Sequence, residues 1–284
     1  MPQSGAPGAT VESVCSRCDG RGWVVSPDGG AGSARPCSCR DSDRSQRLLD
    51  ASDIPPRYRD CGFDNFATRG RPKAATEQLV AARKIAEEYV EGFIGDEGRF
   101  TQSGLLFVGP PGTGKTHLAA AVLSALMRDY RVRGRFVDFT SLIHQIQSTF
   151  DASSPGSKHE VLDPVIAADV LVVDELGAQK PTPWVQDILY LLINTRYTRR
   201  LPTLFTSNYR LEEDGAEKVR GDGGYEEFGR RVDRRGLPLA DRISAVLLSR
   251  LFEMTRPVPL TSVDDYRSLT RGPRRRRIAA PGPA

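Results

Sequence analysis

Between residues 74 and 262 the apolar positions of the chain follow two alternating periods. Across Thr76–Phe93 the residues Leu79, Ala82, Ile85, Ala86, Tyr89, Val90 and Phe93 recur every three or four positions, which predicts a helix with one buried face. Gly104–Val108 (GLLFV) is an unbroken apolar run, as expected for a strand buried on both faces. A Gly/Pro turn then leads into Lys115–Tyr130, an Ala- and Leu-rich helix. Gly134–Phe139 reads as a strand, Thr140–Phe150 as a helix, and Asp169–Val173 (DVLVV) as a second fully buried strand. Pro181 and Pro183 mark a helix start, and Trp184–Arg199 carries it on with Ile188, Leu191, Leu192 and Thr195 in phase. Pro202–Thr206 predicts a further strand, Leu239–Met254 a helix, and Pro257–Leu260 an edge strand.

Strands that alternate with helices imply βαβ units, and hence an α/β fold around a mostly parallel sheet. The 284 residues suffice for one such domain and a small appendage. Composition divides them into three. Residues 1–60 hold four of the five cysteines with many Gly, Ser and Asp; residues 61–268 carry the alternating pattern; residues 269–284 are rich in Arg and Pro. The stretch Leu211–Leu237 is Gly- and charge-rich and is expected to be a long loop. No run approaches the roughly 18 apolar residues of a membrane helix, and the start MPQSGAPGAT lacks a signal peptide's basic and apolar regions. A cytoplasmic protein without membrane contact is expected.

The net charge of +4 is concentrated at one end. Arg271, Arg274, Arg275, Arg276 and Arg277 supply five positive charges with no acid nearby, which leaves −1 on the other 270 residues. Nucleic acid would therefore be met by a local patch or by the tail, which otherwise serves as a solubilising end.

The sharpest chemical signal is Gly109-Pro110-Pro111-Gly112-Thr113-Gly114-Lys115-Thr116, followed by His117. It fits G-x-x-x-x-G-K-[ST] between a predicted strand and a predicted helix, the context that a phosphate-binding P-loop requires. The glycines let backbone N–H groups turn onto phosphate oxygens, and the helix N-terminus adds its dipole. Lys115 would reach the β and γ oxygens of ATP, and the Thr116 hydroxyl would ligate Mg²⁺. A second carboxylate is expected at the tip of a neighbouring strand. Asp174, 58 residues beyond Thr116 and directly after Val170–Val173, meets that need, with Glu175 beside it as general base for the attacking water. Asn208, at the tip of the next strand, could orient that water. Arg250, in Leu247–Leu251 (LLSRL), is either a transition-state cation or an ordinary arginine on a helix face.

The order P-loop, acidic strand, Asn-tipped strand and Arg-bearing helix resembles the AAA+ ATPases. The phrases VLVVDELGAQ (Val170–Gln179), ILYLLINTRY (Ile188–Tyr197), LPTLFTSN (Leu201–Asn208) and SRLFEM (Ser249–Met254) narrow the likeness to bacterial replicative-helicase loaders of the DnaC/DnaI type and the related IstB-type transposition ATPases. The likeness spans roughly residues 54–268. It implies a P-loop NTPase core with Asn208 as sensor 1 and Arg250 as a finger reaching a neighbouring subunit's ATP. Arg267 then matches sensor 2. It further implies a ring or spiral homo-oligomer when ATP is bound, and single-stranded DNA facing Phe150, Thr182 and Trp184. Phe150 and Trp184 could equally be core residues. Only about 20 residues follow Leu260, so little or no helical lid is expected.

Cys15-x-x-Cys18, 18 intervening residues and Cys37-x-Cys39 place four thiols in two close pairs. Such spacing fits a closed structural Zn²⁺ site, with redox-active or plain thiols as the alternative. In DnaI-type loaders a small zinc-bearing domain docks on the helicase, and the resemblance implies the same here. Cys61 lies outside the spacing, and His117, His144 and His159 show no ligand spacing among themselves. The functions implied are ATP-dependent loading of a replicative helicase, an IstB-type transposition helper, or a nucleotide-gated scaffold without hydrolysis.

Overall fold

The computed structural model describes residues 23–25, 34–69, 71–95, 104–149, 158–211, 238–263 and 265–266. Strands β1 (Trp23–Val25) and β2 (Ala34–Pro36) form an antiparallel hairpin. Helices α1 (Cys39–Asp50) and α2 (Lys73–Glu91) follow, and then the repeating part of the fold begins. It runs β3 (Leu105–Val108), α3 (Lys115–Tyr130), β4 (Gly134–Asp138), α4 (Phe139–Ser148), α5 (Lys158–Ile166) and β5 (Val170–Asp174). It closes with α6 (Pro183–Thr198), β6 (Thr203–Ser207), α7 (Ala245–Met254) and β7 (Arg256–Pro259).

Five strands form one parallel sheet in the order β4-β5-β6-β3-β7. Its central strands β3, β5 and β6 are buried on both sides, and the period-two geometry of a strand divides their side chains between two cores. Leu105, Phe107, Val170, Val172 and Leu204 join the core under α2 and α3. Their neighbours Leu106, Val108, Leu171, Val173 and Phe205 join the one under α4, α5, α6 and α7. This is the expected α/β doubly covered sheet, and the apolar runs GLLFV and DVLVV are its central strands. Among the described residues, no helix is long and apolar enough to cross a membrane.

The register decides where function can sit. Val108 pairs with Ser207, Val108 with Pro259, and Asp138 with Asp174, so the strands end together at one edge of the sheet. The loop after β3 and the residues that end β5 and β6 leave by that same edge. The strand order also reverses beside β3, and the crevice opened there is the usual ligand site of an open parallel sheet.

The opposite edge is held by a residue with no solvent exposure. Arg196, on the last turn of α6, donates from Nε to Thr203 Oγ1 (2.8 Å) and from Nη1 to the Ile166 and Ala168 carbonyls (2.9 and 2.8 Å). Its Nη2 reaches the Pro202 carbonyl at 2.7 Å. One guanidinium therefore ties α6 to the chain entering β5 and β6. Burial pulls its pKa down to about 9, which leaves it charged at neutral pH.

Two elements differ from expectation. Helix α5 contains Pro164, which removes a backbone donor, yet it forms because Leu162, Val165 and Ile166 are buried against the sheet. The helix expected over Leu239–Met254 is broken. A single 3₁₀ turn spans Leu239–Asp241, and α7 starts only after Ser244, whose hydroxyl accepts from the Leu247 N–H and caps it. Residues that composition grouped with the N-terminal segment also touch the main body. Leu48 and Leu49 pack on the α2–α3 core, Ile54 is buried in it, and the Ser52 carbonyl accepts from the Phe136 N–H at 2.7 Å. The loop after Leu211, Phe150, Arg267 and the tail 269–284 lie outside the described residues.

Replacing Arg196 by Met keeps most of the volume but leaves the buried Ile166 and Ala168 carbonyls and the Thr203 hydroxyl without their guanidinium donor, while the Pro202 carbonyl keeps the Leu171 N–H. Arg196→Met should lower the unfolding free energy by at least about 3 kcal/mol, given about 1–3 kcal/mol per unsatisfied buried group. Urea denaturation followed by circular dichroism measures it, and a midpoint unchanged from the parent chain would contradict the assignment.

Candidate nucleotide site

The loop between β3 and α3 has the shape that its glycines permit. Gly112 and Gly114 have φ of +78° and +100°. A Cβ on Gly112 would collide with the Asp265 carboxylate, and one on Gly114 would lie 2.6 Å from Phe66 Cε2. Both sites therefore demand glycine for backbone and for space. The loop is anchored through Gly109 N–H to the Ser207 carbonyl (3.2 Å), which ties it to the tip of β6. Lys115, only 6% exposed at the first position of α3, donates from Nζ to the Gly109 and Pro110 carbonyls at 2.9 and 2.7 Å. The ammonium thus sits inside the loop, at the N-terminus of a 16-residue helix, where an anion would be met by amides, dipole and cation together.

Thr116, one residue further, turns towards β5. Its hydroxyl donates to Asp174 Oδ1 at 3.0 Å, and Thr206 on β6 donates to the same oxygen at 2.5 Å. Thr206 Oγ1 in turn accepts from the Glu175 N–H at 3.0 Å. Asp174 is 6% exposed, and burial raises its carboxyl above the ordinary range against the pull of the Thr206 and Thr116 hydrogen bonds. The repulsion of Glu175 and Asp138 adds to the rise. Glu175 has φ of 58°, a left-handed backbone that is uncommon for any residue with a Cβ. That kink stops β5 and releases the Glu175 side chain from the sheet into solvent-exposed space. Leu176 N–H then bonds the Thr206 carbonyl at 2.8 Å, so the turn is fixed on both sides of the kink.

Lys115, Thr116, Glu175, Thr206 and Asn208 all line one cavity of about 550 Å³, within the range of small-molecule sites. Part of its wall is aromatic and basic: Tyr58, Phe66, Arg71, His117 and Tyr266. The rings of Phe66 and His117 lie 5.3 Å apart, and the His117 Nε2 is 2.9 Å from the Gly62 carbonyl. The Arg71 guanidinium lies 5.4 Å over the Tyr266 ring, while Tyr266 N–H bonds the Gly112 carbonyl at 3.0 Å. Cys61 lines the same wall, and burial raises its thiol pKa. The cavity therefore offers amides, cations and aromatic rings together. Thr116 and Asp174 present hard oxygens 3.0 Å apart and fit Mg²⁺, which takes one or two protein oxygens beside phosphates and water. Bound there, the ion would neutralise charge on the phosphates.

Other expected residues are more scattered. Arg250 is not among the residues lining the cavity of its own chain. It stands half-buried on α7, its guanidinium 5.0 Å over the Tyr190 ring and 5.8 Å over that of Tyr197, with Nη1 lacking a hydrogen-bond partner among the described residues. Thr182 caps α6, its hydroxyl accepting from the Val185 N–H, and Trp184 packs partly buried against the core beneath α6. Cys37 is buried, Cys39 opens α1, and Cys15 and Cys18 lie outside the described residues, as do Phe150 and Arg267. Among the described residues no three His, Cys, Asp or Glu side chains gather to hold a metal. Sequence reasoning overlooked Thr206, Arg71 and Tyr266. Thr206 carried the one available signal, a polar residue ending an apolar strand, whereas Arg71 and Tyr266 meet only through the fold.

Residues 40–222 match the family model for the IstB-like ATP binding protein. The chain is 30% identical to the replicative helicase loader DnaC of Escherichia coli (strain K12) over 173 residues, which span 60% of this chain and 64% of that protein. It is 29% identical over 203 residues to the phage-like element PBSX protein XkdC of Bacillus subtilis (strain 168), covering 70% of this chain and 73% of that one. Among solved structures, a crystal structure of the DnaC helicase loader aligns at a TM-score of 0.54 and 27% identity, over 72% of this chain and 99% of the other.

The buried carboxylate makes a prediction with a definite sign. Asp174 binds its proton more tightly folded than unfolded, so its contribution to stability is fully present below the unfolded carboxylate pKa and is lost as pH rises through the raised folded value. Asp174→Asn keeps an acceptor for both threonines without the charge. It should raise the thermal midpoint of nucleotide-free protein at pH 7 by about 2–4 °C, the shift that about 1 kcal/mol produces in a domain of this size. It should also weaken Mg²⁺-dependent nucleotide binding. Scanning calorimetry with and without Mg²⁺-ATP reads both effects, and a lower midpoint in the absence of nucleotide would contradict the account.

Proposed function

Because the chain belongs to the family of IstB-like ATP-binding proteins, to which it is joined by its DnaC-type relatives, we propose that it is an AAA+ ATPase that loads a replicative DNA helicase. The observation that carries this reading is the linked set Thr116–Asp174–Thr206–Glu175 at the mouth of the P-loop. It couples a metal-ligating pair to a carboxylate freed from its strand. A P-loop alone would serve any nucleotide binder. The addition of Glu175, turned out beside Asn208 in the same cavity, favours hydrolysis over a non-hydrolysing scaffold.

In the proposed reaction the loop amides and Lys115 hold the triphosphate, with Lys115 exchanging its two carbonyl acceptors for phosphate oxygens. Asn208 orients a water in line with the γ-phosphorus. Glu175 takes a proton from that water as its oxygen bonds to phosphorus and the bond to the β-phosphate oxygen breaks. Arg250, absent from its own cavity, supplies charge to the site of the neighbouring protomer in a ring or spiral. Single-stranded DNA runs past Trp184 at the start of α6, where stacking contributes about 1–3 kcal/mol per base. ATP binding holds the assembly on DNA and hydrolysis releases the helicase.

The four cysteines of Cys15, Cys18, Cys37 and Cys39 form a structural zinc module that contacts the helicase. The hairpin between the pairs supports this, since its register joins Trp23 to Pro36, the residue before Cys37. The packing of Leu48, Leu49 and Ile54 favours a boundary just after Cys39, at the start of α1, with the rest of α1 and the chain to residue 268 in the ATPase domain. The family description leaves an IstB-type transposition helper as the second reading. Affinity capture separates the two, because a loader retains a hexameric helicase and a transposition helper retains a transposase.

Two outcomes test the proposal. Lys115→Ala should abolish binding of a fluorescent ATP analogue, whereas Glu175→Gln should bind it normally and lose about 10²-fold or more in turnover. Turnover by Glu175→Gln at the parent rate would reject the assigned base. Zinc removal with a chelator should cut helicase capture and leave ATP affinity intact, because metal binding supplies most of the folding energy of so small a module. Capture that survives complete chelation would reject the module's role.

A further inference from the structure

The turn that carries Glu175 is short of regular hydrogen bonds. It leaves β5 through the kinked Glu175 and continues through Gly177, whose φ of +86° again lies in the left-handed region. Ala178 N–H bonds back to the Glu175 carbonyl at 3.0 Å and Ser207 Oγ donates to the Leu176 carbonyl at 2.9 Å, but among the described residues no backbone N–H donates to the carbonyls of Gly177, Ala178 and Gln179. Arg242, on the segment between the 3₁₀ turn and α7, faces them. Its Nε donates to the Gly177 carbonyl at 2.8 Å, and its Nη2 donates to the Gln179 carbonyl at 2.7 Å, with a longer contact to Ala178 at 3.4 Å. The same guanidinium lies 5.2 Å over the ring of Tyr209, the buried residue directly after Asn208. Gly177 is held in this sandwich so closely that a Cβ there would lie 3.1 Å from the Tyr209 ring and 3.3 Å from Arg242 Cβ.

Arg242 is also connected behind the site. Its carbonyl accepts from Gln186 Nε2 on α6 at 2.8 Å, and Gln186 Oε1 accepts from the N–H of Ser244, the cap of α7. The Arg242 side chain therefore meets the turn bearing Glu175 and the ring of Tyr209 beside Asn208, while its backbone carbonyl is tied through Gln186 to the first residues of the helix bearing Arg250. A lysine could reach one of these carbonyls as a point donor. The planar fork is what spans Gly177 and Gln179 while lying flat on an aromatic ring.

We propose that Arg242 is a positioning residue for hydrolysis, fixing the turn that presents Glu175 against Asn208 and locking that arrangement to the start of α7. The proposal rests on the hydrolytic reading above. It separates Arg242 from the P-loop, which is anchored independently by Gly109 to β6. Loss of Arg242 should accordingly affect the chemical step and spare nucleotide binding.

The test compares the full chain with Arg242→Ala, Arg242→Lys and Glu175→Gln, by steady-state ATPase assay, by titration with a fluorescent ATP analogue, and by hydrogen exchange. Arg242→Ala should reduce kcat by about 10- to 100-fold, the penalty of misplacing a catalytic group by an ångström, with nucleotide affinity within about twofold of the parent. Arg242→Lys should recover part of the lost kcat. Exchange should quicken in residues 176–180 and stay unchanged in residues 109–120. Parent-like kcat in Arg242→Ala would overturn the proposal. So would an equal loss of kcat and affinity accompanied by faster exchange throughout the chain, which is what a merely structural residue would give. Should the parent prove no more active than Glu175→Gln, it is the hydrolytic reading that fails. The exchange at residues 176–180 then decides the Arg242 clamp by itself, and unchanged protection there would reject it.

Discussion

A single buried carboxylate oxygen organises the nucleotide end of this molecule. Asp174 Oδ1 accepts from Thr116 at the start of α3 and from Thr206 at the end of β6, so three segments distant in sequence are pinned to one atom. The arrangement is unfavourable for an anion alone, as burial shows by raising the carboxyl's pKa. It becomes favourable when a divalent cation and a triphosphate arrive, because the charge that costs stability in the nucleotide-free chain then has a partner. The strain is placed where ligand can relieve it, the usual position for local destabilisation in a functional protein.

What makes the oxygen available to all three segments is the sheet. The residue order along β3, β5 and β6 sends alternate side chains into two separate cores, so a slip by one residue would exchange the side chains of the two cores and spoil the packing of each. With register fixed, Val108, Asp174 and Ser207 end at a common edge, and the functional residues just past them converge without any further instruction. Arg196 does the complementary work at the other edge, joining the entries of β5 and β6 through four hydrogen bonds from a fully buried guanidinium. The position of Glu175 relative to the P-loop is thus set partly by a residue at the far end of both strands.

Much of this was readable before any coordinates, and for physical reasons. Runs such as GLLFV and DVLVV report burial on two faces, and the P-loop spacing reports a backbone that only glycine allows, so β3, β5 and the site between them were recoverable from local signals. Helix α5 was not, because Pro164 reads as a breaker and only the burial of Leu162, Val165 and Ile166 overrides it. The break before α7 was also hidden: Ser244 signals a cap, but the apolar period runs straight through it. Contacts such as Arg71 on Tyr266 and Arg242 on the carbonyls of Gly177 and Gln179 bridge residues 63 or more positions apart. No periodicity carries information at that range. The residues at the chemistry were legible because phosphate and metal binding demand particular types at particular spacings, whereas those that position them need only shape and a donor.

The cations that hold the sheet and its site differ in how they are held, and the difference bears on mechanism. Lys115, Arg196 and Arg242 each donate to at least two backbone carbonyls, and hydrogen bonds to a charged group contribute about 1.5–3 kcal/mol each. Arg250 rests on the faces of Tyr190 and Tyr197, and Nη1 has no hydrogen-bond partner among the described residues. A cation over an accessible ring is worth about 0.5–1 kcal/mol, so re-aiming Arg250 costs far less than moving the other two arginines. Lys115 can leave its carbonyls because phosphate oxygens, as anionic acceptors in the same place, replace them with stronger bonds. Arg196 and Arg242 have no such replacement and stay where they are. The fold thus fixes the cations that build the site and leaves loosely seated the one cation that, under the proposed mechanism, must reach beyond its own protomer.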